Sequence, residues 1–446
     1  MGDRMKKVLI AVYFFPPLGW SGVQRTLKFV KYLQEFGWEP IVVTVGESRF
    51  SIKDHSLGKE IPANISVIRI DDIMLKRYTD KMLDELMNFV HASFDIVDDE
   101  TIKNAYIAHI ESFMTQLRTA LFFPDDKMAW ANAVIDQLEH YVDLSDIDMI
   151  FTTGKPWSTH IIGYDIKKRY NKAWVADFRD EWTNNVYAEY DTNDIRYKME
   201  YALEKKIVNY ADIIVTTSSV SSDNYRNIFD LPYNKVRTIT NGYDEEDFKD
   251  IEPVPTDKFT IVHNGAFYSA RTPYNFLKAV NNLIDKGKID INNINVHFIG
   301  TCEDRIKAEI ENMSANNYIS WTSYLSHLES IKEASKANLL LLITGEKEKV
   351  KAMIPGKTFE YLRMGIPILS ISPKGSAVAD ILEETQRGYN VENNDIETME
   401  KIIYDYYCSW LNNVRFDYNK EVISKYERRK LTKDLANIFD ELSHKK

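Results

Sequence analysis

Lys357 and Glu360 lie in the stretch Ile354-Pro355-Gly356-Lys357-Thr358-Phe359-Glu360-Tyr361-Leu362-Arg363-Met364-Gly365-Ile366-Pro367-Ile368-Leu369, where residue type and spacing best suit chemistry. The segment reads as a loop, a short helix, and a Gly-Pro break into an apolar strand. Its loop sets backbone N–H groups, that of Gly356 among them, and the Lys357 ammonium at a helix N-terminus, where the dipole favours an anion. Glu360 can share a helix face with Lys357. A cation at an open helix end suits a phosphate, and a carboxylate one turn later suits a sugar hydroxyl. Together they suggest a nucleotide-sugar site. Pro-Gly is also ordinary turn chemistry, and Lys/Glu pairs are often only solvated, so these residues alone leave both readings open.

Further groups fall at the ends of expected strands. Gly19-Trp20-Ser21-Gly22 follows the first strand, and its small residues allow backbone to approach a phosphate or an acceptor. Gly19, Ser21 and Gly22 do not complete a Gly-x-Gly-x-x-Gly pattern, which argues against a dinucleotide site. Asp177-Phe178-Arg179-Asp180-Glu181-Trp182 ends another strand. There Asp180 could orient an acceptor hydroxyl or take its proton, and Arg179 is either a site residue or half of a loop ion pair. His160 reads as a residue near the sugar or as a packed helix histidine. Arg271, beyond Asn264-Gly265-Ala266, can grip a phosphate with two N–H groups, and Tyr324 falls where a base would sit.

Positioning these groups requires alternating strands and helices. Val8 to Tyr13 is a continuous apolar run, as in a parallel sheet covered on both faces, and Val23 to Phe36 has helical spacing closed by Gly37. Ile41 to Val45 completes one βαβ unit. Strands are expected at 148–152, 173–177, 212–216 and 236–240. A second series is expected at 259–263, 296–300, 318–321, 338–343 and 366–370. Residues 71–135 are too long for a minimal repeat and read as a helical insertion packed on the domain, with a membrane- or substrate-facing role as the alternative. Pro253 and Pro255 place the domain boundary near residue 250. The expected division is 1–248, 249–415 and a helical segment 416–446 packing back toward the first domain. The fold class is α/β, with two doubly wound domains facing a cleft.

At 446 residues, with 44% hydrophobic and 28% charged residues, the composition is that of a globular protein. The net charge of −11 argues against broad nucleic-acid binding. Two cysteines and nine histidines without metal-ligand spacing indicate neither a zinc site nor a disulfide framework, and a reducing cytoplasm is the simplest home. The basic start leads into a strand rather than a secretion signal.

The arrangement resembles the retaining family-4 glycosyltransferases of the GT-B fold over nearly the whole chain. The matching pieces are the Pro16-Pro17-Leu18-Gly19 loop running to Gln24-Arg25, Asp177-Phe178-Arg179-Asp180 with Trp182, Asn241-Gly242-Tyr243-Asp244, and Pro355 to Tyr361 with Gly365-Ile366-Pro367. Phe123-Pro124-Asp125 with Trp130 looks like bacterial polysaccharide members. The resemblance implies donor binding in the C-terminal domain by Glu360, Gly356, Gly265 and Tyr324, with Glu360 on the ribose. It also implies Lys357 and Arg271 on the leaving diphosphate, no metal or cofactor beyond the nucleotide-sugar co-substrate, and a glycan or lipid-linked acceptor. The implied location is the cytoplasm, with peripheral attachment to the inner face of the membrane left open. Two positions depart from the pattern: Ala352 replaces the first glutamate of a Glu-x7-Glu motif, and Ala266 replaces an arginine. They leave open a same-fold epimerase and a non-catalytic binding subunit.

Overall fold

The computed structural model describes residues 4–19, 21–47, 53–71, 81–82, 84–85, 88, 100–186, 191–251, 256–313, 317–323 and 325–444. The chain forms two compact units: 1–215 with 229–237 and 435–446, and 216–228 with 238–434.

The first unit is built on seven strands: β1 (Lys6–Ala11), β2 (Trp38–Thr44), β3 (Ser66–Arg69), β4 (Met149–Gly154), β5 (Ala173–Phe178), β6 (Ile213–Thr216) and β7 (Val236–Thr238). Their order is β3-β2-β1-β4-β5-β6-β7. β1 runs parallel to both neighbours, with Ile10 opposite Val42 on one side and Phe151 on the other. Burial on both faces explains its unbroken apolar run, since Val8 to Ala11 are wholly enclosed. The helix Gln24–Tyr32 continues into a tight turn, Leu33–Phe36, and stops at Gly37, whose φ of +83° is one that side-chain-bearing residues rarely adopt.

The second unit repeats the plan with β8 (Phe259–Asn264), β9 (Ile294–Ile299), β10 (Ile319–Thr322), β11 (Leu339–Ile343), β12 (Ile368–Ile371) and β13 (Gly388–Val391). The order is β10-β9-β8-β11-β12-β13, and all five pairings are parallel. Phe276, Leu277 and Val280 pack with Ile261 and Leu341 in one core cluster. Phe359, Leu362 and Ile381 pack with Val262 and Leu340 in the other. In each sheet the order reverses direction beside the first strand, between β1 and β4 and between β8 and β11. Ligands of such sheets bind at the strands' carboxyl ends there.

Several expectations need correction. The strands β3 and β13 were not foreseen; both lie at sheet edges and are four residues long, with only one buried residue each, so neither shows an apolar run. The division of the chain is less simple than one cut near residue 250, because residues 216–228 join the second unit and 229–237 return to the first. Within the insertion, Met128–Gln137 packs through Trp130, Ala131 and Val134. The helix Glu100–Leu121 packs along one narrow face, where Met114 is buried, and leaves Ile102 63% exposed and Phe113 58%. Met82 is exposed as well, while Leu83, Leu86, Phe89 and Val90 lie outside the described residues. The last helix, Arg428–Ser443, is shared between the units, and its end belongs to the first. There the Phe439 ring lies 5.2 Å from Trp38 and 5.9 Å from Phe151, and Asp440 accepts from Lys6 Nζ and Trp38 Nε1.

Candidate functional site

In the second unit the expected donor-site residues gather at the ends of β8 and β11. Gly265 follows β8 directly, and its N–H donates to Ile299 O at 2.7 Å. The helix Lys357–Met364 begins after Gly356 without a side-chain cap, so its first turn is left to other partners. Tyr361, one turn into the helix, accepts from the Asn264 N–H at 2.9 Å and so ties the helix to the end of β8. Burial pushes the Tyr361 phenol up, and it stays protonated.

The Lys357 side chain does not reach out in front of the helix. It folds back over Gly265 and donates to the backbone oxygen of Asn264. A Cβ at Gly265 would strike the Lys357 ammonium, so the absence of a side chain there makes the seat. Burial and the Arg271 guanidinium lower the Lys357 pKa to about 8, against the opposing pull of Glu360. Arg271 stacks on Tyr268 at 5.2 Å and aims Nη2 at Thr344 O, 3.5 Å away, beyond the end of β11. Glu360 faces His327, whose Nδ1 is 3.8 Å from Oε1, while Asp247 stands 3.3 Å from the other ring nitrogen.

Sequence reasoning missed His263, the penultimate residue of β8. It is 1% exposed and stacks on Phe267 at 4.6 Å. Its Nδ1 lies 2.9 Å from Leu341 O. A carbonyl can only accept, so Nδ1 carries the proton and Nε2 presents a lone pair. Burial, with Lys357 and Arg271 adding to it, holds this imidazole neutral. His263 Nε2, Arg271 Nε and Thr344 Oγ1 are all buried without a hydrogen-bond partner. Buried polar atoms are nearly always partnered, so three such atoms on adjoining strand ends mark a place made for a polar ligand. The sequence signal was a histidine closing an apolar run just before Asn-Gly.

The first unit places its residues differently. Asp177 is fully buried and takes a two-point contact from Arg25, Nε at 3.0 Å and Nη2 at 2.8 Å, plus the Thr153 hydroxyl at 2.8 Å. The buried ion pair of Asp177 is therefore with Arg25. Arg179 instead holds three backbone carbonyls: Gly154 at 2.8 Å, Gly22 at 2.5 Å and Lys155. It is a strap between the loops after β1 and β4, and burial lowers its pKa against the pull of Asp177 and Asp180. Asp180 is exposed at the end of β5, Gly19 is half-buried, and Gly22 is exposed.

His160 is wholly buried beneath Gly154, stacked on Phe178 at 4.4 Å, with Nδ1 2.8 Å from Thr152 Oγ1. Burial depresses its pKa to about 3, so the packed reading describes its surroundings, although its Nε2 lacks a partner. Tyr324 and the Ser21 side chain lie outside the described residues.

Residues 244–421 match the family model of the glycosyl transferases group 1. The matched segment contains Gly265, Arg271, Lys357 and Glu360. No curated protein matches the chain by sequence. Among solved structures it is similar to a sucrose-phosphate synthase from Thermosynechococcus elongatus, with 13% identity, 99% of this chain and 100% of that one covered, and a TM-score of 0.65. It is also similar to Anabaena HepE in complex with UDP and glucose (10% identity, 98% and 99% covered, TM-score 0.60). An S. aureus TarM variant in complex with fondaparinux, alpha-GlcNAc-glycerol and UDP gives 12% identity, 98% and 100% coverage and a TM-score of 0.60. At such identities the likeness establishes the fold, which is GT-B: two parallel α/β sheets with flanking helices. Among the described residues, no helix is long and apolar enough to cross a membrane.

Proposed function

We propose that the protein is a retaining, family-4-type glycosyltransferase. In this reading it moves a hexosyl or N-acetylhexosaminyl group from a UDP-linked donor to a glycan or lipid-linked acceptor in surface polysaccharide synthesis. The observation that carries the reading is that Lys357 lies over Gly265, with the Arg271 guanidinium acting on its charge and unpartnered polar atoms on His263, Arg271 and Thr344, within the segment that matches the group 1 model. The hard part of such a transfer is charge appearing on the leaving diphosphate. Lys357 and Arg271 are the cations to meet it, acting electrostatically and without a metal in this reading. Glu360 takes the ribose hydroxyls, and Asp180, at an exposed strand end, orients the acceptor hydroxyl. The UDP complexes of HepE and TarM support UDP as the nucleotide. Position 352 offers no carboxylate: Ala352 is buried and its carbonyl accepts from Ser218 at 2.6 Å, which favours a donor sugar lacking the usual contact. A cytoplasmic location, with peripheral contact to the membrane, suits a lipid-linked acceptor.

A thermal-shift screen of nucleotide sugars identifies the donor, because a ligand that binds only the folded state raises apparent stability. With that donor, Lys357→Ala is expected to lower turnover by about 100-fold or more. Glu360→Ala is expected to raise the KM for donor, and both variants should melt near the parent temperature. Full activity in either variant refutes the site assignment.

A further inference from the structure

His327, Asp247 and Glu360 meet in the second unit from three separate elements. His327 opens the helix His327–Ala334, and Ser326 fixes that start, its N–H at 3.0 Å and its hydroxyl at 2.6 Å from the Glu329 carboxylate. The ring's Nε2 lies 3.3 Å from Oδ2 of Asp247, on the short turn Glu245–Phe248. A carboxylate only accepts, so Nε2 carries a proton. Nδ1 faces Glu360 Oε1 at 3.8 Å, the distance of an ion pair rather than of a direct hydrogen bond. In the neutral ring a lone pair would point at that carboxylate, two acceptors with no proton between them. In the imidazolium both nitrogens meet an opposite charge. The helix start opposes a positive charge, but two carboxylates whose side chains are only 12% and 17% exposed outweigh one helix end. The other charges on these elements are engaged elsewhere. Glu245 accepts from Arg363 Nε at 2.6 Å, Glu246 lies 3.6 Å from Lys249, Glu333 pairs with Lys336, Lys357 lies over Gly265, and Lys332 is exposed.

We propose that His327 is a positioning residue for the donor: its imidazolium, steadied by Asp247, holds the Glu360 carboxylate by charge and sets it to receive the ribose hydroxyls. The ribose role of Glu360 rests on the proposed function. Glu360 also attracts the Lys357 charge. A second cation shares that carboxylate and limits its pull on the lysine that the diphosphate needs. A histidine does this reversibly, because it exchanges its charge within the ordinary range of pH. While the ring is protonated, the donor meets an oriented carboxylate. Once the ring is neutral, Glu360 faces a lone pair and that orientation is lost, so donor affinity falls as pH rises through the midpoint of His327.

The charge contact is tested first on the full chain without nucleotide, where the result does not depend on the transferase reading. NMR of the chain with 13C at histidine Cε1 follows the nine histidines across pH, and His327→Gln identifies the His327 signal. Glu360→Gln and Asp247→Asn are each expected to lower the His327 midpoint by about half a unit or more, the size of a partly screened charge pair. The second measurement is calorimetry across pH with the nucleotide sugar that gives the largest thermal shift. Its dissociation constant in the parent should rise about fivefold as pH passes the His327 midpoint. His327→Gln should lack that step and bind weakly throughout. His327→Lys, which keeps its charge to higher pH, should bind tightly beyond the parent's midpoint, a rescue that a merely structural role would not give. An unmoved midpoint in Glu360→Gln, with donor binding present in the parent, overturns this proposal alone, as does a pH step that persists in His327→Gln. Failure of every nucleotide sugar to bind the parent overturns the proposed function, and the ribose role of Glu360 with it.

Discussion

Gly265→Ala separates the lysine's seat from the stability of the fold. An added Cβ would meet Lys357 Nζ, the far end of a flexible side chain, and would come 3.1 Å from His263 Nε2. Gly265 does not have a left-handed φ, so alanine is allowed there and removes entropy from the unfolded chain, an effect of about 0.4–1 kcal/mol in favour of folding. The methyl's pressure on the histidine offsets part of that gain. The melting temperature should therefore stay within a few degrees of the parent, a 1 kcal/mol change being worth roughly 2–4 °C for a unit of 150–250 residues and less for a larger one. The ammonium, in contrast, must leave Asn264 O and the space over the strand end. Removing one preorganised donor from a developing negative charge costs about 3–4 kcal/mol in comparable sites, or roughly a hundred- to a thousandfold in kcat. The assay is release of nucleoside diphosphate from the cognate donor, beside a melt followed by circular dichroism. Gly300→Ala is the control: its φ is +126° and its Cβ would meet the Gly265 backbone, so it should lose stability first. Full turnover in Gly265→Ala, with the fold unchanged, would refute the idea that the seat over Gly265 matters.

Two further outcomes follow from the first unit, and one from the end of the chain. Asp177→Asn leaves Arg25 buried without its counter-charge and should cost on the order of 3 kcal/mol, seen as a lower denaturant midpoint. His160 has a folded pKa of about 3 against an ordinary 6.5, so the unfolded chain binds the extra proton between those values. Stability should be complete above pH 6.5 and fall as pH drops toward 3, and urea titrations should show a flatter acid limb in His160→Gln. A chain shortened to residue 434 should bind a hydrophobic dye that the full chain does not, because Trp38 and Phe151 lose the cover of Phe439.

Both sheets could be read in the sequence because their inner strands are buried on both faces and appear as apolar runs, as at Val8–Ala11 and Leu339–Ile343. The edge strands β3 and β13 could not, since half-exposed four-residue segments show no such pattern. Lys357, Glu360 and Gly265 could be singled out by their neighbours in sequence. His263 was hidden because its meaning depends on Leu341, 78 positions away, and on Lys357, 94 positions on. The contact between Arg25 and Asp177 was hidden for the same reason, since it is a pairing across 152 positions that local spacing does not encode.

The placement of Phe439 and Asp440 against Trp38 and Phe151 also bears on how the chain is made. A chain emerging from the ribosome presents the strands of its first sheet early, yet the element that closes one side of that sheet emerges some 400 residues after Trp38, with Asp440. Until then Trp38 and Phe151 lack the ring of Phe439, and Trp38 lacks the carboxylate of Asp440, that meet them in the finished fold. The second unit, by contrast, has all of its strands by Val391. Birth order and maturation order are thus reversed: the half that is made first is finished last.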